Sequence, residues 1–517
     1  MLANRIAFFG FNAVRLHNMD SSFEPRGIFK DVCADIKDTQ MKKTGILNED
    51  QLEKLDYLIY QLKIRGIYID MNLLVGRRFV KADGVVNADA LKAAAKPASM
   101  FDPTLIKLQE QYARDLLTHK NKYTNLRYCD DPAMALVEIT NENSIVYYWR
   151  SNILNGTIYG LKKDPLPDDY VKELDKKWRE WLKIKYGTAA DISAKRPIYK
   201  IRQFYNQQTV QDAENFYTDL EKKYFKEMTD FLKKDVGVKS PITGSQYSSH
   251  VAQESCDFID THVYWDHPYF PNQAWDDNDF KIAGRSIFSD KSLSLIGEIK
   301  TNAPMAKPYT ITEWNHCYPN QYAYETPPLL ACEALKNDWD ALFQFAFAGV
   351  PITTDKIVNY FDIAPNTQQL LLCSIGSLIY NKSILSRFHV EGGVAIFDHE
   401  LLRGVVGAIK DREYTLSPLK IKSSSDGAMF IFSPKLTPLI ASSTICIFSV
   451  GPIKNSGSGW LDGKTFSWGQ APVLLKSTKP IISSDRNAAL KINGLDNSGG
   501  IAQDNNNDAP WYLITVK

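Results

Sequence analysis

Two stretches put a carboxylate where an apolar strand stops. MALVEITNENSIVYYW (134–149) carries Met134, Ala135, Leu136, Val137 and Ile139 and then turns polar at Asn141, Glu142 and Asn143. KPYTITEWN (307–315) does the same at Glu313, Trp314 and Asn315. A carboxylate there either caps the next helix or serves a site. Other strand ends gather polar groups too: Arg15, His17 and Asn18 in GFNAVRLHN, Asn72 in IYIDMNLLVG, Gln246 in SPITGSQ, and His262 and Tyr264 in DFIDTHVYW. The chemistry that needs two carboxylates in one wet cleft is glycoside hydrolysis. One acid protonates the leaving oxygen while one carboxylate attacks or activates water. Arg15 and Tyr264 are the donors available to the ionised carboxylate, and Asn141 could hold a sugar hydroxyl. His17 and His262 read either as site residues or as structural histidines, and His267 and His316 divide the same way. Trp265 and Trp314 follow strand ends and are candidates for stacking on a sugar ring, with plain packing as the alternative.

The elements that must position these residues alternate. NEDQLEKLDYLIYQLKIRG (48–66) is a helix, with Asn48 and Gln51 as a capping box and Gly66 as the stop. It lies between GFNAVRLHN and IYIDMNLLVG, whose apolar residues barely alternate, the pattern of a parallel sheet covered by helices. Asp102-Pro103 opens another helix. Residues 167–186 and 211–234 form two more, and one near 329–340 precedes ALFQFAFAG (341–349). Repeated β-then-α units predict a (β/α)8 TIM barrel over 1–378, whose strand ends form one mouth. LANRIAFFG reads as a helix, so the barrel's first strand is missing and GFNAVRLHN is strand two. Seven strands would leave two open edges. From 379 to 517 helical periods vanish. GGVAIF, GAMFIFS, TICIFSV, APVLLKS and WYLITV predict an antiparallel β-sandwich, with SGSG (456–459) and QDNNNDA (503–509) as surface loops.

Composition excludes other classes. Lys plus Arg number 61 against 60 Asp plus Glu, so the footprint of a nucleic-acid binder is missing. No apolar run is long enough to span a membrane. Seven cysteines at 33, 129, 256, 317, 332, 373 and 446 contain no CxxC pair, so neither a disulfide framework nor a zinc site is read, and no cofactor or metal is called for. MLANRIAFFGF carries no secretory signal. Localisation stays open: residues ahead of it would carry any leader, and the protein would then be secreted or periplasmic. The partner is a carbohydrate, and the oligomeric state is not read.

Asn141-Glu142, Glu313, GFNAVRLHNMD, THVYW and TITEWN together resemble clan GH-A glycoside hydrolases, especially the cellulase-like family 5 group with a C-terminal β-domain. The resemblance implies a retaining mechanism with Glu142 as acid/base and Glu313 as nucleophile. It also implies that Arg15 bonds near Glu313, that Tyr264 touches it, that His262 lines the catalytic subsite and that Asn141 binds substrate. It fails in two places: Leu73 and Leu74 stand where that group often has a histidine, and ALFQFAFAG offers Gln344 and phenylalanines instead of a tryptophan. The rivals are a non-catalytic carbohydrate-binding protein on a degenerate barrel and an inverting hydrolase on the same scaffold.

Overall fold

The computed structural model describes residues 1–21, 27–30, 43–158, 161–162, 165–187, 198–203, 207–273, 275–290, 293–304, 307–349 and 355–382, plus the backbone of nine short strands between 414 and 514. Two compact units emerge. One comprises Met1–Tyr264, Glu298–Asn315 and Trp339–Pro365, and the other Trp265–Gly297, His316–Asp338 and Asn366–Lys517.

The first unit is a parallel α/β structure. After helix α1 (Leu2–Phe8), strands β1 (Ala13–Leu16), β2 (Tyr68–Leu74), β3 (Met134–Thr140) and β4 (Ile242–Thr243) pair in parallel in that order. Strands β5 (Ile259–Trp265), β6 (Tyr309–His316) and β7 (Ala341–Gln344) form a second sheet, with β6 and β7 parallel. Two links join the sheets. Asp257, ahead of β5, donates its N–H to the Ile242 carbonyl at 2.7 Å and accepts the Ile242 N–H on its carboxylate at 2.8 Å. On the other side Phe11 meets Phe347 and His17 meets Phe345, edge to face at 6.0 and 5.5 Å. The two edges expected to lie open therefore face each other, and aromatic side chains fill the seam. The two sheets together hold seven strands among the described residues.

The helices follow from their caps and stripes. In α2 (Glu49–Lys63) Asn48 accepts the N–H groups of Asp50 and Gln51, as an N-cap should. The reciprocal half of the capping box is replaced, because the Asn48 N–H donates to the Ile28 carbonyl. Gly66, at φ 71°, turns the chain into β2. Asp102 caps α3 (Pro103–Leu117). Helix α4 (Ile145–Arg150) is capped by Ser144. Helix α5 (Asp168–Tyr186) buries Val171, Leu174, Trp178 and Leu182 at helical spacing. Helix α6 (Gln207–Asp230) starts four residues before the expected 211 and runs on into a π-helical turn, Phe231–Val236. Helix α7 (Ser294–Asn302) precedes β6.

In the second unit α8 (Thr326–Asn337) packs on α9 (Thr367–Lys382). Helix α9 runs through the expected boundary at 378/379, since TQQLLLCSIGSLIYNK contains no proline. Further on, Tyr414–Leu416, Leu419–Ser423 and Met429–Phe432 form one antiparallel sheet, and Cys446–Ser449 pairs with Trp511–Ile514. Gly457–Leu461 pairs with Lys464–Trp468, so most of SGSG is strand where a loop was expected; its small residues do not forbid pairing. GGVAIF, APVLLKS and QDNNNDA lie outside the described residues.

Gly376 marks the α8–α9 contact. A Cβ there would stand 2.9 Å from the Pro327 carbonyl oxygen and 3.7 Å from Ala331 Cβ. Inside a helix Gly→Ala normally stabilises by about 0.5–1 kcal/mol. Here the obstacle is backbone, so overpacking of about 1–3 kcal/mol wins. Gly376→Ala should lower the unfolding free energy by about 1 kcal/mol or more in denaturant titrations; a gain would show that the helices separate freely.

Candidate active site

Arg15 is the centre of the cluster. It points from β1 into the space between the sheets, where its side chain is 5% exposed. Its Nε and Nη2 donate to Glu138 Oε1 and Oε2 at 2.6 and 2.7 Å, a bidentate pair across to β3. Its Nη1 donates to Glu313 Oε1 at 2.6 Å. Nη2 also donates to Asn72 Oδ1 at 3.1 Å and Asn141 Oδ1 at 2.9 Å. One guanidinium thus ties β1, β2, β3 and β6 together. Asp70, beneath Glu138, is wholly buried, and burial together with the Glu138 charge raises its pKa well above the carboxylate range. Glu138 itself is held below the usual carboxylate value by Arg15, which works against burial.

Glu313 sits where the register of β6 against β7 slips, between Ile311 and Trp314. Such irregularities re-aim side chains. Its Oε1 takes Arg15, and its Oε2 accepts the Tyr264 hydroxyl at 2.5 Å. Glu142 lies beyond the end of β3 at φ 43°, a left-handed conformation rare for a side-chain-bearing residue. Its backbone is held in place: the Asn141 N–H donates to the Leu74 carbonyl, the Glu142 N–H to Gln246 Oε1 at 2.8 Å and the Asn143 N–H to Ser245 Oγ at 2.8 Å. The side chain is 30% exposed against 6% for Glu313, so it is the carboxylate that meets solvent.

His262 joins the two. Its Nδ1 stands 2.9 Å from Glu142 Oε1 and 3.4 Å from Glu313 Oε2. Burial works to lower its pKa, but the Glu313 charge and the Glu142 bond outweigh it and raise it. Burial likewise works against ionised Glu142, yet His262 and Lys96 bring it down to about 2. Both shifts favour the imidazole as the holder of the proton the pair shares. His17 differs. Burial and Arg15 push it well down, so the neutral ring donates from Nδ1 to Asn72 Oδ1 at 3.0 Å. One oxygen each of Glu142 and Glu313 and the His262 nitrogen all lie within 4.8 Å of one another. A divalent cation could bridge that spacing, though hydrogen bonds already engage all three side chains.

Seven of the residues named from sequence thus meet in the first unit: Arg15, His17, Asn141, Glu142, His262, Tyr264 and Glu313. The two tryptophans do not join them. Strand side chains alternate, so Trp265 leaves the face that carries His262 and Tyr264. It is buried in the second unit, its indole donating to the Arg285 carbonyl at 2.9 Å. Trp314 flanks Glu313 and is 5% exposed, so it offers no open platform. His316 is buried against Thr326, with burial lowering it to about 4, and His267 donates to the Pro268 carbonyl. Sequence reasoning missed Glu138, Asp70, Asp260, Lys96, Phe345 and Phe361. Lys96 Nζ donates to the Asn141 carbonyl at 3.0 Å. Phe345 and Phe361 pack at 5.3 Å and both face Tyr264.

No protein-family model matches the chain, and no curated protein does. Solved structures with a similar chain path include the endo-β-1,4-mannanase of Thermotoga petrophila, at 11% identity over 90% of this chain and 92% of that one, with a TM-score of 0.45. The endo-1,4-β-mannanase of Rhizomucor miehei is similar at 15% identity over 74% and 89%, with a TM-score of 0.43. GH5_18 of Streptomyces cattleya, in complex with GlcNAc, is similar at 11% identity over 77% and 78%, with a TM-score of 0.42.

The His262–Glu142 pair should give stability a bounded pH window. The folded-state pKa of His262 is raised, so its contribution is full below the ordinary 6.5 and is lost as pH rises through the raised value. That of Glu142 is depressed, so its contribution is present above the ordinary 4.5 and is lost as pH falls toward about 2. The stability difference between the parent protein and Glu142→Gln should peak between 4.5 and 6.5. A difference flat from pH 3 to pH 9 (roughly the span over which such a pair titrates) would show that the two groups are not coupled.

Proposed function

We propose that the chain is a retaining glycoside hydrolase acting on β-linked glycans. Its barrel would end with α9, and an antiparallel β-domain would follow Lys382. The carrying observation is that oxygens of Glu142 and Glu313 lie within 4.8 Å of each other, on either side of the His262 nitrogen. Retaining enzymes hold their carboxyls about 5–5.5 Å apart, and inverting ones need about 6.5–9.5 Å to admit a water.

Glu313 is the nucleophile, because Arg15 and Tyr264 are donors that stabilise a carboxylate and fix its aim. Its oxygen attacks the anomeric carbon as the glycosidic bond breaks. Glu142, drawing on the proton it shares with His262, gives that proton to the leaving oxygen. Glu142 then takes a proton from water, which hydrolyses the glycosyl–Glu313 ester. Asn141, fixed by Arg15, is placed to meet a substrate hydroxyl, and His17 lines the same cleft. No step needs a metal or cofactor.

Glu142→Gln and Glu313→Gln should each lower hydrolysis of the unsubstituted phenyl β-glycoside by about 100-fold or more. Near-parent turnover in either would end the assignment. Azide separates the roles. With an activated substrate, Glu142→Ala should be rescued to a β-glycosyl azide and Glu313→Ala to an α-azide. The same anomer from both variants would refute the assignment of roles.

A further inference from the structure

Gln246 follows β4, and both ends of its amide are engaged. Its Oε1 accepts the Glu142 N–H at 2.8 Å, and its Nε2 donates to Asp260 Oδ2. Asp260 is buried on β5, two residues before His262 and on the same face. Two neighbouring strands brace it: Thr312 Oγ1 donates to Oδ2 at 2.9 Å and Thr243 Oγ1 to Oδ1 at 3.2 Å. An ionised carboxylate only accepts, so it compels the nitrogen end of the amide to face it and leaves the oxygen end for Glu142. Glu142 needs that acceptor, since at φ 43° it occupies a conformation that its surroundings must hold. The bracket runs from β6 through Asp260 and Gln246 to the carboxylate that meets solvent.

We propose that Gln246 and Asp260 are a positioning pair that sets the reach of the Glu142 carboxyl toward the leaving-group oxygen. Neither touches substrate, and the inference rests on the proposed glycosidase reading. Burial raises Asp260 to about 6, so near neutral pH it is ionised and accepts, as the bracket requires. Proton donation matters most when the leaving group is a poor one. An aryl oxide that leaves without help tolerates a displaced acid, whereas an alcohol does not. A pair that merely held the fold would affect both alike.

The test is the leaving-group dependence of kcat/KM for a series of aryl β-glycosides. Gln246→Met should leave the dinitrophenyl glycoside within about 3-fold of the parent and slow the unsubstituted phenyl glycoside on the order of 10- to 100-fold. Equal losses across the series, or none, would overturn the proposal. If Gln246→Met does not fold, the comparison of Asp260→Ala with Asp260→Asn decides. The asparagine still accepts from Gln246 and Thr312 and should restore most of what alanine loses; identical behaviour refutes the bracket. One readout needs no turnover. The hydrogen-bonded Nδ1 proton of His262, followed by NMR in selectively labelled protein, should weaken or shift in Gln246→Met as Glu142 moves. An unchanged resonance overturns the positioning role whether or not the parent proves to be a glycosidase, while a parent inactive on every aryl glycoside overturns only the functional reading.

Discussion

A buried guanidinium between two carboxylates is the constraint the first unit is built around. Arg15 and Glu313 are 5% and 6% exposed in their side chains, and Glu138 is fully enclosed. Taking such charges out of water costs several kcal/mol per ion, and Coulomb attraction offsets that only when the geometry is good and the remaining lone pairs are filled. Here they are filled. Glu138 takes two guanidinium bonds, Glu313 takes one together with the Tyr264 hydroxyl, and the second Nη2 N–H is shared by two amides. Removing any partner would strand a charge, so the strands carrying them are fixed in distance and register. Asp70 adds a third carboxyl to this site, and burial together with the Glu138 charge opposes its ionisation, raising its pKa well above the usual value.

That arrangement divides the labour between the catalytic candidates. Glu313 is tied to a permanent cation, whereas Glu142 is tied to a titratable one. The imidazole between them feels both charges. In the proposed cycle, glycosylation of Glu313 removes one of them. His262 then loses support for its proton, and Glu142 loses a repulsive neighbour and accepts protons less readily. His262 and Lys96 draw Glu142 down to about 2, and the two carboxylates raise His262, so the shared proton is favoured on the imidazole. A general acid needs access to a proton when the leaving oxygen arrives, and a one-proton pair meets that need as long as the imidazole is in contact.

Much of this was legible because strand ends are where polar groups must be explained. NEN after MALVEIT, HVY and TEW drew attention to residues that the fold brings together, and caps such as Asn48 and Asp102 set helix starts directly. The misses share a cause. Glu138 and Asp70 lie inside apolar strands, where they read as interruptions. A buried carboxylate needs a partner, and that rule could have paired Glu138 with Arg15, but no local pattern says which strands will touch. Lys96, in LKAAAKPAS, looks like the wet side of a short helix. Only the chain path shows that it reaches the Asn141 carbonyl while Asn143 returns a bond to the Lys96 carbonyl. For Trp265 and Trp314, read as either stacking or packing, burial favours packing, because adjacency in sequence is opposition on a strand.

Both glutamates are carried on departures from regular structure, and their placement follows from this. A regular continuation of β3 would fix the face of Glu142 by simple alternation, and a regular β6 would do the same for Glu313. The left-handed backbone at 142 and the register slip before 314 turn the two side chains toward one nitrogen. Left-handed backbone at a non-glycine residue costs on the order of 1–3 kcal/mol, and hydrogen bonds returning about 0.5–1.5 kcal/mol each can offset it. The three successive N–H groups of Asn141, Glu142 and Asn143 all find acceptors. Behind them Ser144 bonds to the buried Glu221, which also accepts the Val146 N–H at 2.9 Å and the Ser248 hydroxyl at 3.0 Å. Burial lifts Glu221 to about 7 and these donors resist the rise, so its hold on the segment is set by the same competition between desolvation and hydrogen bonding that governs the site. The reactive geometry is therefore maintained by polar groups outside the cleft, and a glycine at 142, which would relieve the backbone, would leave that network with no carboxyl to aim.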